Sequence, residues 1–372
     1  MRVCFLTSYH PPKDVRLYWK MARALVSAGH EVVFLLMTNE PAPDPETNLE
    51  WVVVKKPGNR YLRVAKSVVM LVKAVKINAD AYQICTGELL WMVPLLRFFK
   101  PKAKIVYDAQ EPLGIFIAAK PWVPRFLRGL VERIVDFYER SMVEFVDVVI
   151  AVAEKNKKKF VRWGAKTHLV RNFPILNHDI EVIPWDSRDR VILYLGLIST
   201  KRGFDVVLRI AEFLKANPEL GYRIKIIGKL DPGELERLER LISRFPRDVV
   251  DLVLDWIPHE KALMEIANAR FGLSLFSKDA LRHAAATTTN KIFEYMLYGA
   301  IPILSYIPEL EEFVSDGADC IFLNPGNEIV DFQIKFSQAI EHGIRMSRTA
   351  REKALERFLW QNEKSKFLKV YE

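Results

Sequence analysis

Cysteine is scarce in this chain. Among 372 residues there are three, Cys4, Cys85 and Cys320, far apart and without a CxxC pair. An odd, dispersed set argues against a disulfide framework and fits free, buried thiols in a reducing compartment. Long apolar runs are missing as well, since no stretch approaches the roughly twenty uncharged apolar residues of a spanning helix. The opening MRVCFLTSYHPPKD has an apolar run too short for a secretory signal and no small-residue cleavage site. These absences predict a cytoplasmic protein, at most peripheral on the inner face of a membrane. Zinc-finger spacing and an aromatic RNA-binding signature are also lacking, so nucleic acid is not an expected partner. His168 and His178 have no ligand-spaced companions, and no metal is expected.

Acidic residues are missing from one region. None lies between Trp51 and Ala79, where Lys55, Lys56, Arg60, Arg63, Lys66, Lys73 and Lys76 accumulate, and the whole chain carries a formal charge of +9. Within it, YLRVAKSVVMLVKAVKI alternates apolar and basic positions at helical spacing. A basic amphipathic helix suggests contact with an anionic membrane surface. A surface helix whose lysines simply face water has the same pattern.

What is present is ample apolar material, half of all residues, in a chain too long for one ordinary core. Two domains are expected. Short apolar runs such as RVCFLTS (2–8), 31–37 and KIVYDAQ (104–110) alternate with amphipathic stretches at 15–28, from 61, at 89–99 and about 123–145. This alternation predicts α/β architecture with parallel sheets covered on both faces. The rhythm breaks in the proline-bearing polar segment 172–190, read as the linker, then restarts at VILYLG (191–196). A helix at 204–216, strands at 222–228, 250–256 and 271–276, a helix at 259–269, a strand at 301–304, a helix from 308 and a strand at 319–323 follow. Residues 349–372 read as one long charged helix with an aromatic stripe of Phe358, Trp360, Phe367 and Tyr371.

Ligands of open α/β sheets sit beyond the carboxyl ends of the strands. The candidate loops are therefore 9–14, 86–88, 108–114, 197–203, 229–233 and 277–290, and the natural ligand site is the cleft between the domains. None of these loops holds a DxD-type acidic pair. In GLISTKRG, Gly196 and Gly203 allow close backbone approach, and Lys201 and Arg202 put positive charge beside a helix N-terminus, a plausible phosphate cradle. In TTTNKIFEYMLYGAIPILS (287–305), Thr287, Thr288, Thr289 and Asn290 offer donors at a second helix N-terminus, with Thr289 or Asn290 as N-cap. Glu294 lies one turn further on the same face. A carboxylate accepts two hydrogen bonds, matching the vicinal hydroxyls of a ribose; the plainer reading is that Glu294 complements the helix dipole or pairs with Lys291. His10 ends the first strand, which makes it a candidate, whereas His259 reads as a helix opener.

NKIFEYMLYGAIPILS resembles the nucleotide-sugar motif of the retaining glycosyltransferases of family 4 (glycosyl transferases group 1), which have the GT-B fold. YLGLISTKRGFDVVLRIAEFL is similar to the first unit of their donor domain, SYHPPKDVRLYWKMARALVSAGHEVVFL to their opening unit, and KIVYDAQEP to their acceptor-side loop. TAREKALERFLWQNEKSKFLKVYE resembles their closing helix, which crosses back to the N-terminal domain. The resemblance implies two Rossmann-like doubly wound domains, an acceptor-side domain over 1–172 with a returning helix at about 356–372, and a nucleotide-sugar domain over 173–355. It implies that Glu294 holds the ribose, Arg202 and Lys201 the diphosphate, the backbone from Thr288 to Lys291 the rest of the phosphate site, and that Lys229 lies near the base. The implied donor is a GDP- or UDP-linked hexose, used without a metal or other cofactor, and the acceptor a glycan or lipid-linked hydroxyl.

Three positions depart from the family. A second glutamate eight residues before the ribose-binding one is replaced by Ala286. An arginine after the first glycine of the donor loop is replaced by Leu197, and Arg282 is the candidate to supply the missing charge. A His–acid pair on the acceptor side becomes Gln110–Glu111, and Gln cannot carry a proton; Glu111, Asp108 or His10 would then have to act. Two alternatives follow: a sugar-nucleotide-binding protein without transferase activity, and an epimerase of the same fold.

Overall fold

The structure, a computed structural model, describes residues 1–44, 46–120, 122–287 and 290–372, without the side chains of residues 60, 61, 286 and 287. The chain divides into two compact units, the first formed by Met1–Asn172 with Trp360–Glu372, the second by Phe173–Leu359.

The first unit holds seven strands: β1 (Arg2–Thr7), β2 (Glu31–Thr38), β3 (Leu49–Lys55), β4 (Ala81–Ile84), β5 (Lys104–Ala109), β6 (Val148–Ala151) and β7 (Thr167–Leu169). All pair in parallel, in the order β3-β2-β1-β4-β5-β6-β7. The central strands are apolar along their whole length because both faces are covered. Helices Arg60–Lys76, Val93–Phe99, Arg128–Val143 and Glu154–Arg162 bury one side against one face, around Leu6, Leu35, Tyr82 and Tyr107. The opposite face receives the segment Val15–Ser27 and the returning helix Trp360–Leu368. There the Tyr371 hydroxyl donates to Gln83 and the buried Glu363 carboxylate accepts from the Arg171 N–H.

The second unit holds β8 (Asp189–Leu195), β9 (Arg223–Ile227), β10 (Val250–Val253), β11 (Ala269–Ser274), β12 (Ile301–Ser305) and β13 (Ile321–Leu323), all parallel in the order β10-β9-β8-β11-β12-β13. Helices Phe204–Ala216, Leu235–Ile242 and Glu328–Glu341 pack on one face, and His259–Asn268, Asn290–Leu297 and Gly343–Arg357 on the other. Both sheets reverse strand order beside their first strand, at β1/β4 and at β8/β11. Those are the topological switch points where open α/β sheets bind ligands.

Several elements differ from the sequence reading. The long helix expected over 123–145 starts after Pro124, as a turn Arg125–Leu127 and then Arg128–Val143, because Pro124 disfavours helical backbone in the residue before it. A separate short helix, Leu113–Ala118, precedes it. The helix expected from Pro308 is only a turn, Pro308–Leu310. Residues 172–190, read as the linker, begin at the boundary between the units, and from Phe173 onward they belong to the second: Phe173 joins Phe293, Phe313 and Phe358 at ring separations of 4.7, 6.2 and 5.3 Å, Trp185 is buried, and residue 190 lies within β8. The expected C-terminal helix breaks at Phe358. That ring belongs to the phenylalanine cluster of the second unit, whereas Trp360, Phe367 and Tyr371 pack in the first.

Candidate functional site

In the second unit, three glycines bring backbone together at the β8/β11 switch point. Gly228, at φ +157°, presses on Gly196, and a Cβ built there would meet the Gly196 carbonyl oxygen at 1.8 Å. Gly203, at φ +68°, starts the helix Phe204–Ala216 in the left-handed region that favours glycine, and a Cβ there would lie 2.5 Å from that of Leu275. The loop after β8 is thus pinned to the loop after β11. Ser277 N–H donates to the Lys201 carbonyl at 3.1 Å, and the Arg202 guanidinium sits 5.4 Å from the Phe276 ring centroid.

Helix Asn290–Leu297 enters beside this loop, with Asn290 as its first residue and Gly299 (φ +79°) just past its end. Lys291 is drawn inward, its ammonium donating to the Leu195 carbonyl at the end of β8. Burial, reinforced by the nearby Arg202, pulls the Lys291 pKa down to about 8, against the opposing pull of Glu294. Two like charges, Arg202 and Lys291, thus stand near each other, which suits a ligand of negative charge.

Glu294 is only 18% exposed and its Oε1 lies 2.9 Å from Nε2 of His259, the first residue of helix His259–Asn268, whose own side chain is 55% exposed. Sequence reasoning took His259 for a helix opener; it is that, and it also meets Glu294. Only the start of a helix after a proline was readable in advance. Of the other expected residues, Lys201 and Arg282 are exposed, and Lys229 stands 3.6 Å from Asp255 in an exposed ion pair on the loop after β9. Leu197 is partly exposed, its carbonyl accepting from the Tyr194 hydroxyl at 2.8 Å. Thr288 and Thr289 lie outside the described residues, as does the side chain of Ala286.

In the first unit, the β1/β4 switch point opens a cavity lined by Tyr9, Gly87, Glu88, Gln110, Glu111 and Phe116, among others. His10 Nδ1 lies 2.7 Å from Thr7 Oγ1, and its ring stacks on Tyr9 at 4.4 Å. Burial holds the His10 imidazole below its ordinary range although Asp14, Asp108 and a hydrogen bond with Gln110 favour its charged form. Asp108 is not available as a base. It accepts Arg16 Nη2 at 2.7 Å and Nε at 3.1 Å, with both side chains buried, and Gln110 Nε2 at 2.9 Å. Glu88 pairs with Arg63 at 2.9 Å. The structure therefore places Gln110 and Glu111 at one cavity, with His10 against Tyr9 and Gln110 beside it, and holds Asp108, which also lines the cavity, in an ion pair with Arg16. Sequence reading missed Arg16, whose partner is ninety-two residues away.

Among the described residues, no group of three or more His, Cys, Asp or Glu side chains is placed to hold a metal ion, and no helix is long and apolar enough to cross a membrane.

Residues 208–369 match the model of a family described as glycosyl transferase-like. No curated protein sequence matches the chain. Among solved structures, sucrose-phosphate synthase from Thermosynechococcus elongatus is similar with a TM-score of 0.74 at 14% identity, over 100% of this chain and 98% of that one. Anabaena HepE in complex with UDP-glucose gives 0.73 at 14% identity, over 100% and 99%. An α,α-trehalose-phosphate synthase (UDP-forming) from Burkholderia vietnamiensis gives 0.67 at 12%, over 99% of each chain. At such identities the likeness speaks for architecture: the chain has the GT-B fold of glycosyltransferases, and most of its second unit matches a glycosyl transferase-like family.

Proposed function

We propose that the protein is a retaining glycosyltransferase that moves a hexose from a UDP- or GDP-linked donor to the hydroxyl of a glycan or lipid-linked acceptor. The observation that carries this reading is the convergence of Glu294 with the Arg202–Lys291 pair at the β8/β11 switch point. A diphosphate needs concentrated positive charge, which Arg202 and Lys291 provide, and Gly196 lets the Lys291 ammonium come up against the loop that carries Arg202. A ribose diol needs a paired acceptor, and Glu294 provides it once His259 gives way. HepE, which shares the fold, is described with UDP and with UDP-glucose.

In the reaction, the bond between the anomeric carbon and the diphosphate oxygen breaks and charge accumulates on the leaving group. Arg202 and Lys291 stabilise that charge where it develops. In the first unit, His10 and the Gln110 amide orient an acceptor hydroxyl by hydrogen bonds, with Glu111 also at the cavity. Because cationic side chains stand ready for the diphosphate, turnover is expected to persist in chelator.

The test is release of nucleotide from UDP- and GDP-hexoses with and without an acceptor panel, with the anomeric configuration of the product read by NMR. Acceptor-dependent release with retention supports the reading. Binding without turnover points to a sugar-nucleotide-binding protein, and isomerised donor without acceptor points to an epimerase; either result overturns it.

A further inference from the structure

Helices Arg60–Lys76, Val93–Phe99 and Arg128–Val143 lie on the same face of the first sheet. Trp91 Nε1 ties the segment before Val93 to Ser67 of the first helix at 3.1 Å. An outer helix face normally carries the polar residues. Here it does not. In Arg60–Lys76 the core side is Met70, Leu71 and Ala74, while Leu62, Val64, Val68 and Val72 are each at least half exposed. Phe98 and Phe99 project from the second helix. Leu130, Ile134 and Phe137 recur at helical spacing on the outside of the third, and Phe126 in the turn before it is 85% exposed. Isolated exposed apolar residues need no explanation, but a row of them across three neighbouring helices does.

Basic residues accompany this layer. Between residues 55 and 145 there are sixteen lysines and arginines against eight acidic residues. The excess lies on the first helix, which holds Lys66, Lys73 and Lys76 and no acidic residue, whereas on the third Arg128, Arg133 and Arg140 are matched by Glu132, Asp136 and Glu139. Two copies of this chain meeting through the first helix would oppose like charge to like charge. An apolar face set among cations fits the boundary between acyl chains and anionic headgroups.

We propose that this helix layer of the first unit docks on a membrane surface rich in anionic lipid, its aromatic and aliphatic side chains entering the acyl boundary and its lysines and arginines pairing with headgroup phosphates. The surface belongs to the first unit alone, so the inference stands whether or not the second unit binds a nucleotide.

The test is co-sedimentation of the full chain with vesicles of pure phosphatidylcholine and of equal parts phosphatidylcholine and phosphatidylglycerol, at low and high salt. Binding is expected with the anionic vesicles only, weakened but not abolished by salt. The Phe126→Ser/Leu130→Ser/Phe137→Ser variant, whose positions are all exposed, should lose at least about tenfold in partitioning with an unchanged circular dichroism spectrum and unfolding midpoint. Lys66→Gln/Lys73→Gln/Lys76→Gln should lose the preference for anionic lipid. Absence of vesicle binding, binding indifferent to the serine substitutions, or a dimer in sedimentation equilibrium that those substitutions dissociate would each overturn the proposal.

Discussion

The two units share a strand order and place opposite chemistry at the same point in it. At the β8/β11 switch point stand Arg202, Lys291 and one carboxylate, Glu294, where glycines let the backbone pack closely. At β1/β4 stand a histidine whose burial disfavours its charged form, an amide, carboxylates and aromatic rings, with the cation Arg16 already paired with Asp108. In the proposed reading the first serves the anionic donor and the second the acceptor hydroxyl. A common scaffold fixes where ligands go; the loop residues decide which ligand.

The comparison breaks most severely at Arg16. Removing it leaves Asp108 buried without its cation, which costs about 3–5 kcal/mol. Arg16→Ala should therefore lower the denaturant midpoint of the first unit while the second unfolds as before, with spectroscopic signals assigned to each. If the second unit's transition moved equally, the units would not be independent in this respect. Next in size is Arg202→Ala, expected to lower the rate of transfer about a hundredfold or more by removing a donor from the developing diphosphate charge, without changing either unfolding transition. Unaltered turnover would remove Arg202 from the chemistry.

A pH series sharpens the contrast further. Lys291 in the free protein titrates near 8, below the ordinary lysine value of 10.5, and a bound diphosphate favours its charged form. Affinity should be level below pH 8 and fall as pH rises through it, because the proton must then be acquired on binding. Lys291→Met should bind more weakly at neutral pH and lose that slope; a calorimetric series from pH 6 to about 9.5 reads both. The smallest effect is assigned to His259→Ala. Its imidazole is 55% exposed, and pairs so exposed contribute about 0–1 kcal/mol, so nucleotide affinity should change by no more than about fivefold. A larger loss would make His259 a direct ligand contact.

Helix Asn290–Leu297 was legible in the sequence because local signals mark both ends, a polar run before it and Gly299 after it. The same held for β1 and β8, whose apolar runs need no partner to be recognised. Helix Glu154–Arg162 was not, since its core side is little more than Phe160 and Asn156 amid lysines, too few apolar positions to show a period. The basic helix Arg60–Lys76 was placed correctly and oriented incompletely: alternation shows that two faces exist, while the packing of Met70 and Ala74 decides that much of the remaining apolar material points outward. The contacts Arg16–Asp108 and His259–Glu294 join residues far apart in sequence, and nothing local announces them. Phe358 shows the same limit, because a break in a long amphipathic run was decided by which unit's core received the ring.

The most direct test of the account is calorimetric binding of UDP, GDP and ADP to the wild type and to Glu294→Ala in parallel. The account predicts that one nucleotide binds and that the variant loses tenfold or more, since a charged hydrogen-bond partner contributes about 1.5–3 kcal/mol. Equal binding by the two proteins, or no binding by either, would contradict the assignment of Glu294 to a ribose and the donor site with it.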